Sequence, residues 1–473
     1  MDLSNYLLLK PELSLMVVFL LLIFYDIFAP EGAKKYYFPV ACLLFLVHTV
    51  YCFFVKDDGT SFAGMYVTGA AQLTIKNILN IGVLLIFLQA NSWLSKAETI
   101  FKRGEYFMLT ILTLLGMYLM ISSGHFLLFY IGLETASLPI AALVAFDKYK
   151  HHSAEAGAKY MFNAIFSSAI MVFGISFLYG ACGTLYYSDI AANMQATPLV
   201  IMASIFVMTG LFFKISLVPF HLWAPDVYEG SPTNITLYLS TISKGAAVFA
   251  LMVILYKVFP ALQSMWQNVI WIIILITITI GNLFAMRQKN LKRFLAFSSI
   301  SQAGYIMLSV FTGTSMGMAA TIFYIFVYVF SNLAAFGVIS AIEDKTGKVG
   351  MDDYNGLYYT NPKLALVMMF AMFSLGGIPF FAGFFSKLFV FMAAMEQGFT
   401  VLVFIALLNT VISLYYYLLV VKAMFINKNN NPIETVKSDF YLKTSLVISM
   451  VGVFLVGMIS CFYEYINSIS FGI

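Results

Sequence analysis

Charged residues are scarce in this chain of 473 residues. Asp, Glu, Lys and Arg together make up 10% of the sequence, whereas about a quarter of the residues of a typical soluble domain are charged. So few charges cannot cover the surface of a water-soluble globule of this length. The composition therefore excludes a soluble enzyme, a nucleic-acid-binding protein and a secreted domain together.

Cysteine and histidine are too few and too scattered to build a redox centre. The four cysteines form no CxxC pair, and of the five histidines only His48 lies well inside an apolar run. Zinc, haem and iron–sulfur sites need such ligands in pairs or clusters, and the glycine loops GxxxxGK[ST] and GxGxxG are missing as well. The sequence thus predicts no cofactor, metal or nucleotide site in this chain. Its formal charge of +4 indicates loop lysines rather than a nucleic-acid surface.

What the sequence has instead is a series of apolar runs of about twenty residues, the length that crosses a bilayer as a helix. The mean hydropathy is +0.90. The first run has no basic segment before it and no A-x-A cleavage site, so we expect a retained span rather than a signal peptide. We predict an all-α membrane protein with fourteen transmembrane helices, at 12–29, 36–55, 73–92, 106–121, 123–146, 157–180, 198–220, 232–257, 266–285, 293–311, 315–341, 363–396, 399–425 and 441–464.

The basic residues predict the orientation of these helices. Eighteen of the 26 lysines and arginines fall in alternate loops, and basic loops stay in the cytoplasm. With an even number of spans, both termini are then expected outside.

Four lysines lie inside or at the rim of the predicted spans, and one glutamate lies midway along the fifth. They are Lys159, Lys214, Lys244, Lys387 and Glu134. A charge at the centre of a membrane helix costs about 2.5–3.5 kcal/mol, so such residues commonly face a polar interior and mark an ion path.

Each of these charges also has a structural interpretation. Glu134 and Lys214 could form a buried ion pair that only fixes helix packing. Lys159 falls in the first turn of its predicted helix and could extend to the interface instead of carrying protons. Lys244 is about a dozen residues from each end of its span, so desolvation should disfavour its charged form and let it exchange a proton.

Two predicted spans are broken beside their lysines. Pro219 follows Lys214 closely, and Gly376, Gly377, Pro379 and Gly383 precede Lys387. Freed backbone groups are tolerated in a membrane only where they line a cavity. The broken helices are the seventh and the twelfth, five apart, which predicts an inverted repeat of helices 4–8 and 9–13. The predicted organisation is a three-helix segment (1–105), two five-helix repeats (106–257 and 258–425) and a C-terminal helix (426–473).

The run GLFFKISLVPFHLWAPDVYEGSPTNITLYLSTISKGAAVF at 210–249 resembles the signature of the antiporter-like membrane subunits of respiratory complex I, the proton-pumping NADH:quinone oxidoreductase. FHLWAPDVYEGSPT, LSTISK and the lysine of GFFSK (383–387) resemble the N-type members rather than the M and L types. The resemblance covers about residues 106 to 425.

The resemblance implies a proton-translocating subunit of a bacterial cytoplasmic membrane complex. It assigns proton transfer to Glu134, Lys214, Lys244 and Lys387, and less firmly to Lys159 and to His221 in the loop after the broken helix. It implies that NAD, FMN, iron–sulfur clusters and quinone belong to partner subunits of the membrane and peripheral arms. Tyrosines that could extend the polar axis are Tyr238, Tyr305, Tyr324 and Tyr328.

Three other functions stay open. A subunit of a multi-subunit sodium/proton antiporter and a membrane hydrogenase subunit share the implied fold, and a non-conducting structural spacer is a third interpretation.

Overall fold

A computed structural model describes residues 4–429 and 431–473. The described chain divides into two compact units. The first comprises the described residues up to 87, then 93–214 and 243–263, and the second comprises 88–92, 215–242 and 264–473.

The first unit contains eleven α-helices, one hairpin and two 3₁₀ turns of the described residues. The α-helices are α1 (Ser4–Leu7), α2 (Lys10–Phe28), α3 (Glu31–Lys34), α4 (Tyr37–Phe54), α5 (Ala70–Leu94, of which 88–92 belong to the second unit), α6 (Arg103–Ile121), α7 (Phe126–Val144), α8 (His151–Cys182), α9 (Tyr187–Asn193), α10 (Pro198–Ile215, whose last residue belongs to the second unit) and α13 (Lys244–Lys257). The hairpin strands are β1 (Gly59–Ser61) and β2 (Tyr66–Thr68), and the 3₁₀ turns are Ile100–Lys102 and Pro260–Leu262.

The second unit holds the remaining helices of the described chain. They are α11 (Trp223–Gly230), α12 (Thr233–Tyr238), the π-helical turn that begins at Leu239 and ends at Ser243, α14 (Gln263–Ala285), α15 (Leu291–Val310), α16 (Ser315–Thr346), a 3₁₀ turn (Met351–Tyr354), α17 (Leu357–Thr360), α18 (Pro362–Gly376), α19 (Ala382–Glu396), α20 (Thr400–Phe425), α21 (Phe440–Met458) and α22 (Ser460–Ser468). Gln263, the first residue of α14, and Ser243, the last residue of the π turn, belong to the first unit.

The helices begin and end where local chemistry satisfies their free backbone groups. The side chain of Asn290 accepts from the backbone N–H of Lys292 at the start of α15, and the hydroxyl of Thr314 accepts from Gly317 in α16. Gly347 ends α16 with φ +70°, a left-handed conformation that glycine adopts without a steric penalty. Such caps supply partners that lipid cannot offer.

Twelve helices of the described residues are long and apolar enough to cross a membrane. Two predicted spans are not among them. The span predicted at 293–311 is the helix α15, and the span predicted at 363–396 is two shorter helices, α18 and α19. The membrane-spanning, helical fold class is confirmed, whereas the number fourteen and the inverted repeat stay predictions.

Both predicted helix breaks are present. Helix α10 ends at Ile215, five residues earlier than the predicted span, and Ser216 follows with φ +66°. Helix α18 ends at Gly376, and Gly377 and Phe380 take φ values of +82° and +75°. Left-handed conformations at non-glycine residues are costly and commonly mark functional sites.

Two local features differ from the sequence prediction. The predicted loop after the second span contains the antiparallel hairpin β1–β2, with Gly59 opposite Thr68. The predicted last span, 441–464, is not one helix, since α21 ends at Met458 and α22 begins at Ser460 after an extended Ile459.

Candidate functional site

Helix α7 places Glu134 and Ser137 together. The helix begins where the His125 side chain accepts from the backbone N–H of Leu127 at 3.0 Å. Glu134 and Ser137 are three residues apart, so they share one face of α7. The Glu134 carboxylate accepts a hydrogen bond from the hydroxyl of Ser168 on α8. A carboxylate at mid-helix is thus held by a neutral donor.

Lys214 meets this face from the end of the broken helix α10. Its Nζ donates to the Ser137 hydroxyl at 2.6 Å and to the Tyr160 hydroxyl at 3.4 Å. Only 5% of Lys214 is exposed. Across the described residues, no direct ion pair joins Lys214 to Glu134. The two predicted residues are therefore brought into one polar cluster, through Ser137 rather than by direct contact.

Lys244 belongs to the same compact unit as Glu134 and Lys214. It is the first residue of α13 and directly follows the π-helical turn that ends at Ser243. Its side chain is 2% exposed, and the neighbouring residues from Thr233 to Tyr256 are buried as well. A π turn is rare and frequently accompanies a functional residue.

In the second unit, Lys387 on α19 is held by the broken end of α18. Its Nζ donates to the backbone carbonyls of Leu375 at 2.9 Å and Gly376 at 3.1 Å. These carbonyls lose their helical partners because α18 ends there, and the negative end of a helix favours a cation. Gly377, in the left-handed region, turns the chain away beside the Lys387 side chain. The carbonyl groups freed by the helix break therefore bind the Lys387 ammonium.

A small cavity of about 10 Å³ lies beside Lys387, on the order of the space that one water needs. Tyr324 and Tyr328 line it, as does Gln302, whose side chain donates to the Leu375 carbonyl at 3.1 Å. The hydroxyl of Tyr324 donates to Gln302, and the Lys387 ammonium lies 5.1 Å from the centre of the Tyr305 ring. Three of the four tyrosines named from the sequence thus surround Lys387. The fourth, Tyr238, is buried in α12.

His221 lies in the turn between α10 and α11, and its carbonyl accepts from Ala224 at the start of α11. The side chain is 8% exposed, and its Nδ1 makes no hydrogen bond within the described part of the chain. Burial lowers the pKa of His221, and a hydrogen bond to the Pro219 backbone opposes that shift. The net effect of its surroundings favours the neutral form of His221.

The acidic residues of the DVYEGSPT run are fastened by the start of α15. Arg293 donates to Asp226 at 2.8 Å and to Glu229 at 2.9 Å. Lys292 donates to the Ser231 carbonyl at 2.7 Å and pairs with Glu343 at 3.3 Å. Sequence reasoning used these two basic residues only for orientation. Their spacing to the motif, more than sixty residues along the chain, gives no local signal of the contact.

The predicted place of Lys159 in its helix is wrong. Helix α8 begins at His151 rather than near 157, so Lys159 lies in its third turn. It pairs with Glu155 at 2.8 Å, and the two side chains are 41% and 50% exposed. The polar residues at 151–156 hid the start of the helix from a hydropathy window.

Sequence reasoning missed a buried ion pair in the first unit. Lys76 on α5 donates to Glu12 on α2 at 2.6 Å, and their side chains are 0% and 3% exposed. The hydroxyl of Tyr66 donates to the same carboxylate at 2.9 Å. Glu12 lies in the first turn of α2 and Lys76 in the second turn of α5, so each charge taken alone is typical of the end of a membrane helix.

Comparison with known proteins gives a consistent family. Residues 123–413 match the family model described as NADH:quinone oxidoreductase/Mrp antiporter, TM. The chain is 54% identical over 99% of both chains to NADH-quinone oxidoreductase subunit N of Phocaeicola vulgatus. It is 53% identical to the subunit N of Azobacteroides pseudotrichonymphae, over 100% of this chain and 99% of that one.

Solved structures agree with these relatives. A chain of respiratory complex I from Thermus thermophilus with bound aureothin is 28% identical and superposes with a TM-score of 0.79, covering 95% of this chain and 97% of that one. A chain of the membrane-bound sulfane sulfur reductase, an archaeal respiratory membrane complex, has a TM-score of 0.85 at 24% identity, over 98% and 96% of the two chains. The second likeness concerns the fold alone.

Proposed function

The chain belongs to the family of NADH-quinone oxidoreductase N subunits, and on this basis we propose that it is a proton-translocating subunit of the membrane arm of that enzyme. Electron transfer from NADH to quinone takes place in other subunits, and this chain couples it to proton movement.

One observation carries the proposal. Lys214 is buried at the end of a broken helix, yet its ammonium is bonded to the hydroxyls of Ser137 and Tyr160 instead of being locked to Glu134. A lysine held by neutral groups can lose its proton without leaving a carboxylate unpaired. An ion pair closed at hydrogen-bond distance would resist that loss.

The coupling step uses the position of Glu134. A nearby carboxylate stabilises the charged form of a lysine, so any movement that changes the distance between Glu134 and Lys214 changes how tightly the lysine holds its proton. Closer approach favours uptake and separation favours release. The hydrogen bond from the Ser168 hydroxyl holds the Glu134 carboxylate in the arrangement in which it does not contact Lys214.

Lys244 and Lys387 are the further proton carriers of the proposal. Lys244 lies buried after a π turn, and Lys387 is held by the carbonyls of Leu375 and Gly376, which remain as acceptors when the amine is neutral or charged. His221 is a secondary candidate because its buried Nδ1 can accept or donate a proton. Lys159 is the weakest candidate because Glu155 already binds it.

The arrangement of the chain in the membrane is part of the same proposal. We propose that both termini face outside a bacterial cytoplasmic membrane, and that helices 4–8 and 9–13 of the predicted set form inverted repeats over 106–257 and 258–425. Partners are the other membrane-arm and peripheral-arm subunits, which hold NAD, FMN, iron–sulfur clusters and quinone.

Replacing either member of the cluster tests the function. In membranes containing the assembled complex, Glu134→Gln and Lys214→Met should each reduce quinone-linked proton pumping severely. Electron transfer from NADH to soluble acceptors should continue, because that chemistry lies in partner subunits. Lys148→Met, at an exposed lysine of the loop after α7, is the matched control and should pump normally. Unchanged pumping in both cluster variants would favour a structural spacer.

The subunits that copurify with this chain distinguish the proposed function from the antiporter and hydrogenase alternatives. Purification from native membranes should recover quinone-reductase subunits with this chain. Recovery of only antiporter subunits would overturn the proposal.

A further inference from the structure

A groove of about 720 Å³ lies in the second unit between the starts of α18 and α21. Its inner wall is apolar and includes Leu364, Val367, Leu446, Val447 and Met450. Both helices carry apolar membrane segments, so the groove opens where two helices enter the bilayer. None of the proton-carrying residues proposed above lines it.

The groove is built by specific contacts rather than by loose packing. Asn361, which is 6% exposed, fastens the segment 431–439 that forms one wall. Its side chain donates to the Glu434 carbonyl at 3.0 Å and accepts from the Val436 backbone at 2.7 Å. Thr435 adds a hydrogen bond to the Thr360 carbonyl at 3.3 Å. These hydrogen bonds attach the wall to the start of α18.

Three lysines meet at the rim of this apolar groove. Lys363, Lys437 and Lys443 line it, all three are exposed, and none forms an ion pair with an acidic side chain of residues 4–429 or 431–473. The nearest acid in sequence, Asp439, is engaged elsewhere, accepting from Leu442 at 3.2 Å and from Asn91 at 2.6 Å. The rim thus offers three cations to an anion.

The start of α18 adds to this attraction. Pro362 opens the helix, and no side chain caps its first turn. The N-terminus of a helix carries partial positive charge and unpaired N–H groups, which favour a phosphate.

We propose that this groove binds an anionic phospholipid, with its phosphate at Lys363, Lys437 and Lys443 and one acyl chain along Leu364, Val367 and Met450. A free phosphate would leave the apolar wall without a partner, and an uncharged helix of another protein would leave the lysines without one. A phospholipid with a net negative charge satisfies both, and basic pockets at the cytoplasmic ends of membrane helices commonly bind such headgroups. The proposal does not depend on proton translocation.

The test uses the assembled complex in lipid nanodiscs that carry a phospholipid with a photoreactive acyl chain. Phosphatidylglycerol and phosphatidylethanolamine probes with the same chain are compared, and the cross-linked peptides are mapped by mass spectrometry. Phosphatidylglycerol should label peptides within 360–367 and 435–450 well above phosphatidylethanolamine. The triple variant Lys363→Gln/Lys437→Gln/Lys443→Gln should lower this labelling by at least about tenfold, since each lysine near a membrane surface contributes about fivefold in affinity.

The matched control is Lys345→Gln/Lys422→Gln/Lys428→Gln, which removes three exposed lysines outside the groove and should leave labelling unchanged. Val447→Trp narrows the apolar wall at a side chain that is 56% exposed and should reduce labelling without altering charge. Native electrophoresis establishes assembly of every variant. Equal labelling by both lipids, or unchanged labelling in the triple variant, would overturn the proposal. Cross-links from these peptides to a partner subunit alone would assign the groove to that subunit instead.

Discussion

Two of the acid–lysine combinations in the first unit differ in whether the acid and the lysine are in direct contact (a closed pair) or are each bonded to hydroxyl groups instead (an open pair). Lys76 and Glu12 are in direct contact at 2.6 Å, and both are buried. Lys214 and Glu134 are each bonded to hydroxyl groups, from Ser137 and Ser168. A closed pair satisfies both charges and holds its proton, whereas an open pair leaves the lysine's proton affinity dependent on the position of the carboxylate. Burial of a charge alone therefore does not identify a proton carrier.

The largest effect is expected at the closed pair, and it should be an effect on assembly. Lys76→Met leaves the Glu12 carboxylate buried without its cation, which costs about 3–5 kcal/mol and is comparable to the whole stability of many domains. The amount of complex in the membrane, measured by native electrophoresis, should fall strongly. The double variant Lys76→Met/Glu12→Leu should recover assembly, because no charge is then left alone. A Lys76→Met complex that assembles fully but cannot pump would instead make the closed pair a proton site.

The next effect separates cations from proton carriers. Arginine keeps a positive charge but does not release its proton in a protein. In the proposed mechanism both Lys214 and Lys244 release a proton in each cycle, so Lys214→Arg and Lys244→Arg should both pump very poorly. Appreciable pumping in Lys214→Arg would show that Lys214 acts only as a cation beside Glu134.

The readout is the ratio of protons pumped to electrons transferred, after assembly has been established by native electrophoresis. An assembled Lys244→Arg complex with a normal ratio would exclude Lys244 as a carrier and break the proposed relay at its centre.

A smaller effect on pumping is expected at Ser137, whose hydroxyl accepts the hydrogen bond from Lys214 in the open pair with Glu134. Ser137→Ala removes the 2.6 Å hydrogen bond from Lys214, and a hydrogen bond to a charged group contributes about 1.5–3 kcal/mol. The pumping rate should fall by about tenfold, the lower end of that range, with assembly retained. Ser137→Thr keeps the hydroxyl and should restore most of the rate. If alanine and threonine behave alike, the open arrangement does not depend on Ser137.

Hydropathy predicted twelve of the fourteen spans as long apolar helices of the described residues, because a helix that crosses lipid must be long and apolar. The positions of proline and glycine predicted both helix breaks, because a membrane tolerates such interruptions only under narrow conditions. The same logic picked out Lys214, Lys244 and Lys387, all of which are buried. The sequence could not predict which residues form hydrogen bonds with these lysines. Ser137 and Tyr160 are ordinary residues of membrane helices, and nothing local indicates that they hold Lys214.

The ion pair between Lys76 and Glu12 could not be predicted from the sequence either. Its members are 64 residues apart in sequence, so pairing depends on how α2 and α5 pack. The acceptors of Lys387 are backbone carbonyls, which carry no residue identity at all. Lys159 was misplaced for a different reason, because α8 continues through polar residues that a hydropathy window treats as a loop.

The smallest effect on assembly and pumping is expected at Lys159, and this residue gives the strictest test of the difference between open and closed pairs. Its pair with Glu155 is closed, like that of Lys76, but it is exposed, with 41% and 50% of the two side chains accessible. An exposed pair of this spacing contributes only about 0.3–0.5 kcal/mol, so Lys159→Gln should neither impair assembly nor change the pumping rate more than about twofold. Glu155→Gln is the matched control, since it opens the same pair while keeping the lysine. A severe loss of pumping in Lys159→Gln, with Glu155→Gln normal, would show that a closed pair can carry protons. The distinction between open and closed pairs would then fail as a guide to function in this chain.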